Sequence, residues 1–269
     1  MITAEEREDI FRDVWRGFIT VFALPVVLFD DTWKEFQKAL FRGYGGNFAD
    51  FAEGTKDFEI LTRLNENINR FSAAKTFQNV KDTQNLILDA AGNLRPFTDF
   101  RKDALKIFDK YNENWLRTEF ETTVAGAQSA VQWQDIQRDK KTLPLLQYRT
   151  AGDNRVRPLH AAWDGIVKPV DDPFWDTRSP PNDHNCRCVL IQLEEGEEKT
   201  TNLGDHLEKI KKETKGEIIS IENDSKLFNI NPGKRKIIFP DKGKSPHPYF
   251  LVDDTFDILK ANNFNLPLA

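Results

Sequence analysis

Cysteine is almost missing from this chain: two residues in 269, with a single arginine between them. Two cysteines cannot make a disulfide framework. In an extended strand, positions i and i+2 stand roughly 6.6–7 Å apart, at the outer limit for a bridge. Synthesis in a reducing compartment suits this pattern. Long apolar runs are missing too. The richest stretch, 18–29, includes Pro25 and falls short of the about 20 residues a membrane helix needs. It is expected to form the buried junction of two helices, and no membrane association is expected. The opening MITAEERED is acidic where a signal peptide carries positive charge, so no leader is expected. Internal repeats and low-complexity tracts are absent. There is no Walker loop, and GYGGN at 43–47 follows a helix, so it lacks the context of a dinucleotide site. Excess positive charge is absent as well. A formal charge of −5 argues against coating nucleic acid by bulk electrostatics.

Core material is plentiful. Hydrophobic residues make up 39% of the chain and include 21 Phe and 6 Trp, enough for one large domain or two ordinary ones. Up to about residue 140 the pattern is helical. Ile10, Phe11, Val14, Trp15, Phe18 and Ile19 recur at three- and four-residue steps. Asp30-Asp31-Thr32 offers an N-cap for a helix carrying Trp33, Phe36, Leu40 and Phe41, which GYGGN would end. Two more helices are predicted over 57–77 and 81–91, the second closed by Gly92-Asn93. A long one follows over 99–138, striped by Phe108, Tyr111, Trp115, Phe120, Val124, Ala127 and Val131. At 1.5 Å per residue it would span about 60 Å unless a bend intervenes. It suits either a bundle core or a strut projecting from a small domain.

After Lys141 the character changes. Strands are predicted at 143–148, 189–193, 217–221 and 236–239, a short helix at 205–214, and a turn at Asn231-Pro232-Gly233. The expected fold is α+β: a mostly helical N-terminal region with a long helix leading into a compact, loop-rich small β module. The expected division is 1–98 as a helical region, 99–200 as the long helix with its module, and 201–269 as a small α/β extension.

The module itself, 148–188, reads YRTAGDNRVRPLHAAWDGIVKPVDDPFWDTRSPPNDHNCRC. His160, His184, Cys186 and Cys188 form a candidate ligand set of two thiolates and one or two imidazoles, which zinc accepts. In an extended chain, His184, Cys186 and Cys188 would share one face. The competing reading makes both cysteines small buried residues and His160 a turn-holding group. A Cys–His nucleophile pair is conceivable. So is a carboxylate pair for metal-assisted nuclease chemistry, drawn from Asp153, Asp164, Asp171, Asp172 and Asp176. Against both, Arg149, Arg155, Arg157, Arg178 and Arg187 nearly match those aspartates in number and suit a structural network of Arg–Asp pairs. From Asp205 to Ser245 ten Lys/Arg face seven Asp/Glu, which allows a transient contact with DNA but better suits an ordinary solvated face.

Taken in order, Tyr148, Thr150-Ala151-Gly152-Asp153, Arg155-Val156-Arg157-Pro158, His160, Asp164-Gly165, Asp172-Pro173-Phe174-Trp175, Pro180-Pro181-Asn182 and Asn185-Cys186-Arg187-Cys188 resemble the phage Mu protein F-like family. These are minor head or head-morphogenesis proteins of tailed phages. WLRTEFETTVAGAQSA at 115–130 looks like the helix that opens the module, and Phe228-Asn229 with Asn231-Pro232-Gly233-Lys234 like a recurring end piece. The resemblance implies a non-enzymatic structural virion component. It would act with portal and capsid proteins in head morphogenesis, with a role in DNA packaging or ejection as an extension. It would be found in the virion, and in host cytoplasm during assembly. The alternative is a metal-dependent nuclease or a phage-delivered toxin or effector, since some family members carry a toxin or ADP-ribosyltransferase domain behind the module. Only residues 194–269 follow here, so no full appended enzyme is expected. One departure is Asp183-His184, where relatives often have an aromatic residue.

Overall fold

The computed structural model describes residues 2–251 apart from 224, 226 and 243–245. Two units divide it: 1–124 with 238–269, and 125–237. The part of the expected 201–269 extension beyond residue 251 lies outside the described residues.

In the first unit, α1 (Ala4–Arg16) starts on a capping box. The Thr3 hydroxyl accepts the Glu6 amide at 3.1 Å, and the Glu6 carboxylate accepts the Thr3 amide at 2.7 Å. It stops at Gly17, whose φ of 80° suits glycine. Its Ile10, Phe11 and Val14 pack on Phe100, Ala104 and Phe108 of α4 (Phe97–Asp109). The segment after α1 is not the buried junction that its hydrophobicity suggests. Leu24, Leu28 and Phe29 are buried, but Phe18 and Phe22 are each 69% exposed, and Val26 and Val27 are exposed too. The next helix, α2 (Val26–Tyr44), begins directly after Pro25 rather than at Asp30–Thr32. The Pro25 carbonyl accepts the amides of Leu28 and Phe29, and Thr32 donates back to the Leu28 carbonyl at 2.8 Å. Gly45, at φ 83°, ends α2 as the glycine cluster predicts.

The two helices predicted over 57–77 and 81–91 are one helix, α3 (Lys56–Gln84). Nothing in Gln78-Asn79-Val80 breaks it, and Asn79 and Val80 are buried. It ends early because Asp89 accepts the amides of Ala91 and Asn93, drawing the chain into a turn closed by a Leu88–Leu94 bridge. The long helix is present as α4, a π-helical segment (Lys110–Trp115) and α5 (Leu116–Asp139) in direct succession. Several buried polar groups in this unit are paired across elements. Lys75 meets Glu119 at 2.6 Å, and Tyr249 donates to the other Glu119 oxygen at 2.7 Å. Asn67 accepts the amides of Ile238 and Phe239 and donates to the Phe239 carbonyl, each at 2.8 Å.

The second unit is built on a three-stranded antiparallel sheet in the order β2–β1–β3, with β1 Leu145–Arg149, β2 Val167–Pro169 and β3 Val189–Leu193. Tyr148 pairs with Leu190, and Leu146 with Lys168. Trp133 and Ile136 of α5 share a core with Leu146, Tyr148, Trp163, Trp175 and Leu190. The Gln132 amide donates to the Leu190 carbonyl at 2.9 Å, meeting an acceptor on edge strand β3. Four short helices complete the unit: α6 (Pro158–Trp163), α7 (Trp175–Arg178), α8 (Leu203–Glu213) and α9 (Pro232–Arg235).

The architecture is the expected α+β, but not every strand is. Strand β2 escapes the periodicity because it is three residues long and ends in proline. The strands predicted at 217–221 and 236–239 do not form. Around 221 the backbone serves side chains instead of a ladder: the Ile221 carbonyl accepts Trp163 Nε1 at 2.9 Å and Arg178 Nε at 3.1 Å. The turn at 231–233 is the start of α9, capped by Asn231. No described helix is long and apolar enough to cross a membrane.

Candidate functional site

Two short elements bring the site together. Pro158 opens α6 with its φ already helical, and this places His160 in the first turn with Trp163 one turn further on. The His160 ring is buried and lies nearly parallel to the Trp163 ring, 5.4 Å away. The second element is the approach to β3. Asn185 adopts a left-handed conformation (φ 56°), and the Cys186 amide donates to the Asp183 carbonyl at 3.2 Å. The chain then straightens through Cys188 into the sheet.

The result is a convergence of three donors. Cys186 Sγ lies 3.8 Å and Cys188 Sγ 3.7 Å from the same atom, His160 Nδ1. All three ligand atoms fall within 4.8 Å of one another. His184 is not brought to them. Its ring sits edge-on to Phe228 at 4.9 Å, and its carbonyl accepts from Arg157 at 2.9 Å. The turn at Asn185 is the reason: the two-residue alternation that would align His184 with the cysteines requires a continuous strand.

Hydrogen bonds converge on the sulfurs. The Cys188 thiol and the backbone amides of Asn182 and Cys188 point at Cys186 Sγ. Asn182 is held in turn by the Tyr148 hydroxyl, which donates to its Oδ1 at 2.9 Å. The Cys186 thiol is drawn well below its usual range, chiefly by its hydrogen bond from Cys188, against the opposing effect of burial; His160 and the two amides assist. Cys188 is pushed up, first by its hydrogen bond to Cys186 and then by burial. Burial raises the Tyr148 phenol, and the neighbouring sulfur charge adds to this. Tyr148 and Asn182 are the site residues that sequence reasoning missed. Both belong to the quoted motif, but only the fold shows what they touch.

Around this centre the charged side chains pair with one another. Arg187 forks onto Asp153 at 2.7 and 2.8 Å, which holds that carboxyl well below its usual range. Arg157 reaches Asp183 at 2.7 Å, and Lys140 reaches Asp171 at 3.0 Å. Asp164 accepts the Thr150 amide and hydroxyl, with Arg149 at 3.8 Å. Asp172 accepts the Phe174 amide, and Asp176 pairs with Lys234. Arg178 pairs with Glu222. Each of the five candidate aspartates is engaged by partners of its own. A cavity of about 20 Å³ borders His160 and both cysteines, and a groove of about 460 Å³ runs between the cysteines and Ala125, Gln128, Ser129 and Gln132 of α5.

Residues 59–191, from α3 into β3, match the model of the family described as Phage Mu protein F like protein, so the likeness read from the motif holds over that stretch. The chain is similar to the Mu-like prophage FluMu F protein of Haemophilus influenzae, at 35% identity over 80 residues, covering 30% of this chain and 19% of that protein. It is also similar to the "Putative capsid assembly protein F" of Escherichia phage Mu, at 31% identity over 108 residues, covering 40% and 22%. The chain thus spans about a fifth of the length of these relatives. No solved structure is significantly similar to it.

Proposed function

We propose that this chain is a structural component of the head of a tailed phage or prophage, working in capsid assembly beside portal or capsid proteins rather than as an enzyme. The match of residues 59–191 to the Mu protein F-like family, with a relative named for capsid assembly, carries the reading. The chemistry of the 125–237 unit supports it. A nuclease centre needs carboxylates converging on a shared metal, whereas here each candidate aspartate is engaged by its own partner, and among the described residues no group of three or more such ligands includes one of them. Bidentate Arg187–Asp153 and the Arg157–Asp183 pair instead pin the loops on either side of the Cys186-Arg187-Cys188 tip. Any part in DNA packaging or ejection, including transient contact with DNA, follows from a place beside the portal.

The test is affinity capture of the chain from an induced lysate, coupled to a nuclease assay. Portal or capsid protein should be captured with it, and DNA and RNA should stay intact with added zinc, magnesium or manganese. Recovery without head proteins, together with cleavage that Asp164→Asn or His160→Ala abolishes, would overturn the proposal in favour of an enzyme.

A further inference from the structure

We infer that the 125–237 unit binds one soft divalent cation of the zinc class through His160 Nδ1, Cys186 Sγ and Cys188 Sγ, with a solvent molecule as fourth ligand. Two observations make this more than a buried thiol pair.

The first is geometric. With metal–sulfur bonds of about 2.3 Å and metal–nitrogen bonds of about 2.0–2.1 Å, a tetrahedral site sets each S···N edge at roughly 3.5–3.6 Å. The two S···N separations here are 3.7 and 3.8 Å, both measured to one nitrogen. Hydrogen bonding does not account for that arrangement. A ring nitrogen has one lone pair in the ring plane and can accept from one thiol at a time. A cation among the three atoms satisfies all of them together.

The second is the surrounding shell. Backbone amides of Asn182 and Cys188 hydrogen-bond to Cys186 Sγ, and Asn182 is itself held by the Tyr148 hydroxyl, which donates to its Oδ1 at 2.9 Å. Such donors orient thiolate ligands and stabilise their charge. Two thiolates neutralise a divalent cation, so nearby Arg157 and Arg187 meet no net positive charge. Both already have carboxylate partners in Asp183 and Asp153. Thiolate and imidazole donors select zinc-class ions over magnesium or calcium. The fourth position falls to solvent because the adjoining cavity, about 20 Å³, has room for one water. His184 takes no part. This inference stands on the site's own geometry and does not depend on the head-assembly reading.

The experiment uses the whole chain, purified in reducing buffer from zinc-supplemented cells, with metal measured by mass spectrometry and the site probed by cobalt substitution. One zinc per chain is expected, and cobalt should give thiolate charge-transfer absorption with the intense visible bands of tetrahedral coordination. Cys186→Ser, Cys188→Ser and His160→Gln should each lose the metal, while His184→Ala keeps it. Tyr148→Phe retains all three ligands but releases Asn182, whose amide bonds Cys186, and should weaken affinity about 10- to 100-fold. Since ligand variants can fail to fold, the wild-type cobalt spectrum and the His184→Ala stoichiometry decide independently of them. Reduced wild-type protein that takes up neither zinc nor cobalt, a cobalt spectrum without thiolate bands, or loss of metal in His184→Ala would each overturn the assignment.

Discussion

Arg187 sits between the two cysteines yet turns away from them, and that alternation divides the labour of three consecutive residues. The cysteines face His160, while the guanidinium grips Asp153, 34 positions earlier. Arg187 keeps the Asp153 carboxyl below its ordinary value of 3.8, so the folded state holds the carboxylate more firmly than the unfolded chain does. The resulting stabilisation is present above that value and is lost as the pH falls below it. Asp153→Asn should therefore lower the melting temperature at neutral pH, and its deficit relative to wild type should shrink below pH 3.8. A deficit that stays constant across an acid series of melting curves would show that the ion pair contributes nothing. At this scale the sequence was informative about chemistry and silent about direction. Cysteine and histidine side chains announced a soft donor set. The left-handed turn at Asn185, which removes His184 from it, has no marker beyond an asparagine.

At the scale of elements, the end of α2 was legible because its apolar stripe ran into the glycine cluster at Gly45, whereas the first stripe read on through Phe18 and Ile19 although α1 stops at Gly17. The boundary between 77 and 81 was misplaced because α3 carries polar residues on its buried side, among them Asn67, Ser72, Lys75, Thr76 and Asn79, which dilute the periodic signal. The strands expected at 217–221 and 236–239 show the opposite failure. Short β-branched runs satisfy the pattern, but Ile221 is held by Trp163 and Arg178, and Ile238 by Asn67, leaving no ladder to join. The end piece at 231–234 is short yet exacting. Asn231 bonds the Trp175 carbonyl and caps α9, and Gly233 presses directly on Trp133. A Cβ at 233 would fall 2.2 Å from the Trp133 Cβ, a clash between atoms that no rotamer change relieves. Gly233→Ala should cost about 1–3 kcal/mol or more in urea denaturation. Pairing it with Trp133→Ala should bring no rescue, because alanine keeps the offending Cβ. Recovery in the double variant would mean the contact involves only the indole.

At the scale of the whole molecule, the two units solve the same problem with different means. The helical unit buries Glu119 between Lys75 and Tyr249, both of which bond to it, and clamps 238–239 on Asn67. The smaller unit surrounds three strands with tryptophans and ties its loops with Arg–Asp pairs. Neither plan was visible in composition, which established only that a core was affordable and a membrane helix was not. The functional reading came from the ordered motif and extends as far as the family match at 59–191. The most direct measurement of it is quantitative mass spectrometry of gradient-purified particles from an induced lysate. A fixed, low copy number of this chain per head, unchanged by nuclease treatment and washing, is the result predicted. Its confinement to the soluble fraction, with intact heads lacking it, would contradict the account.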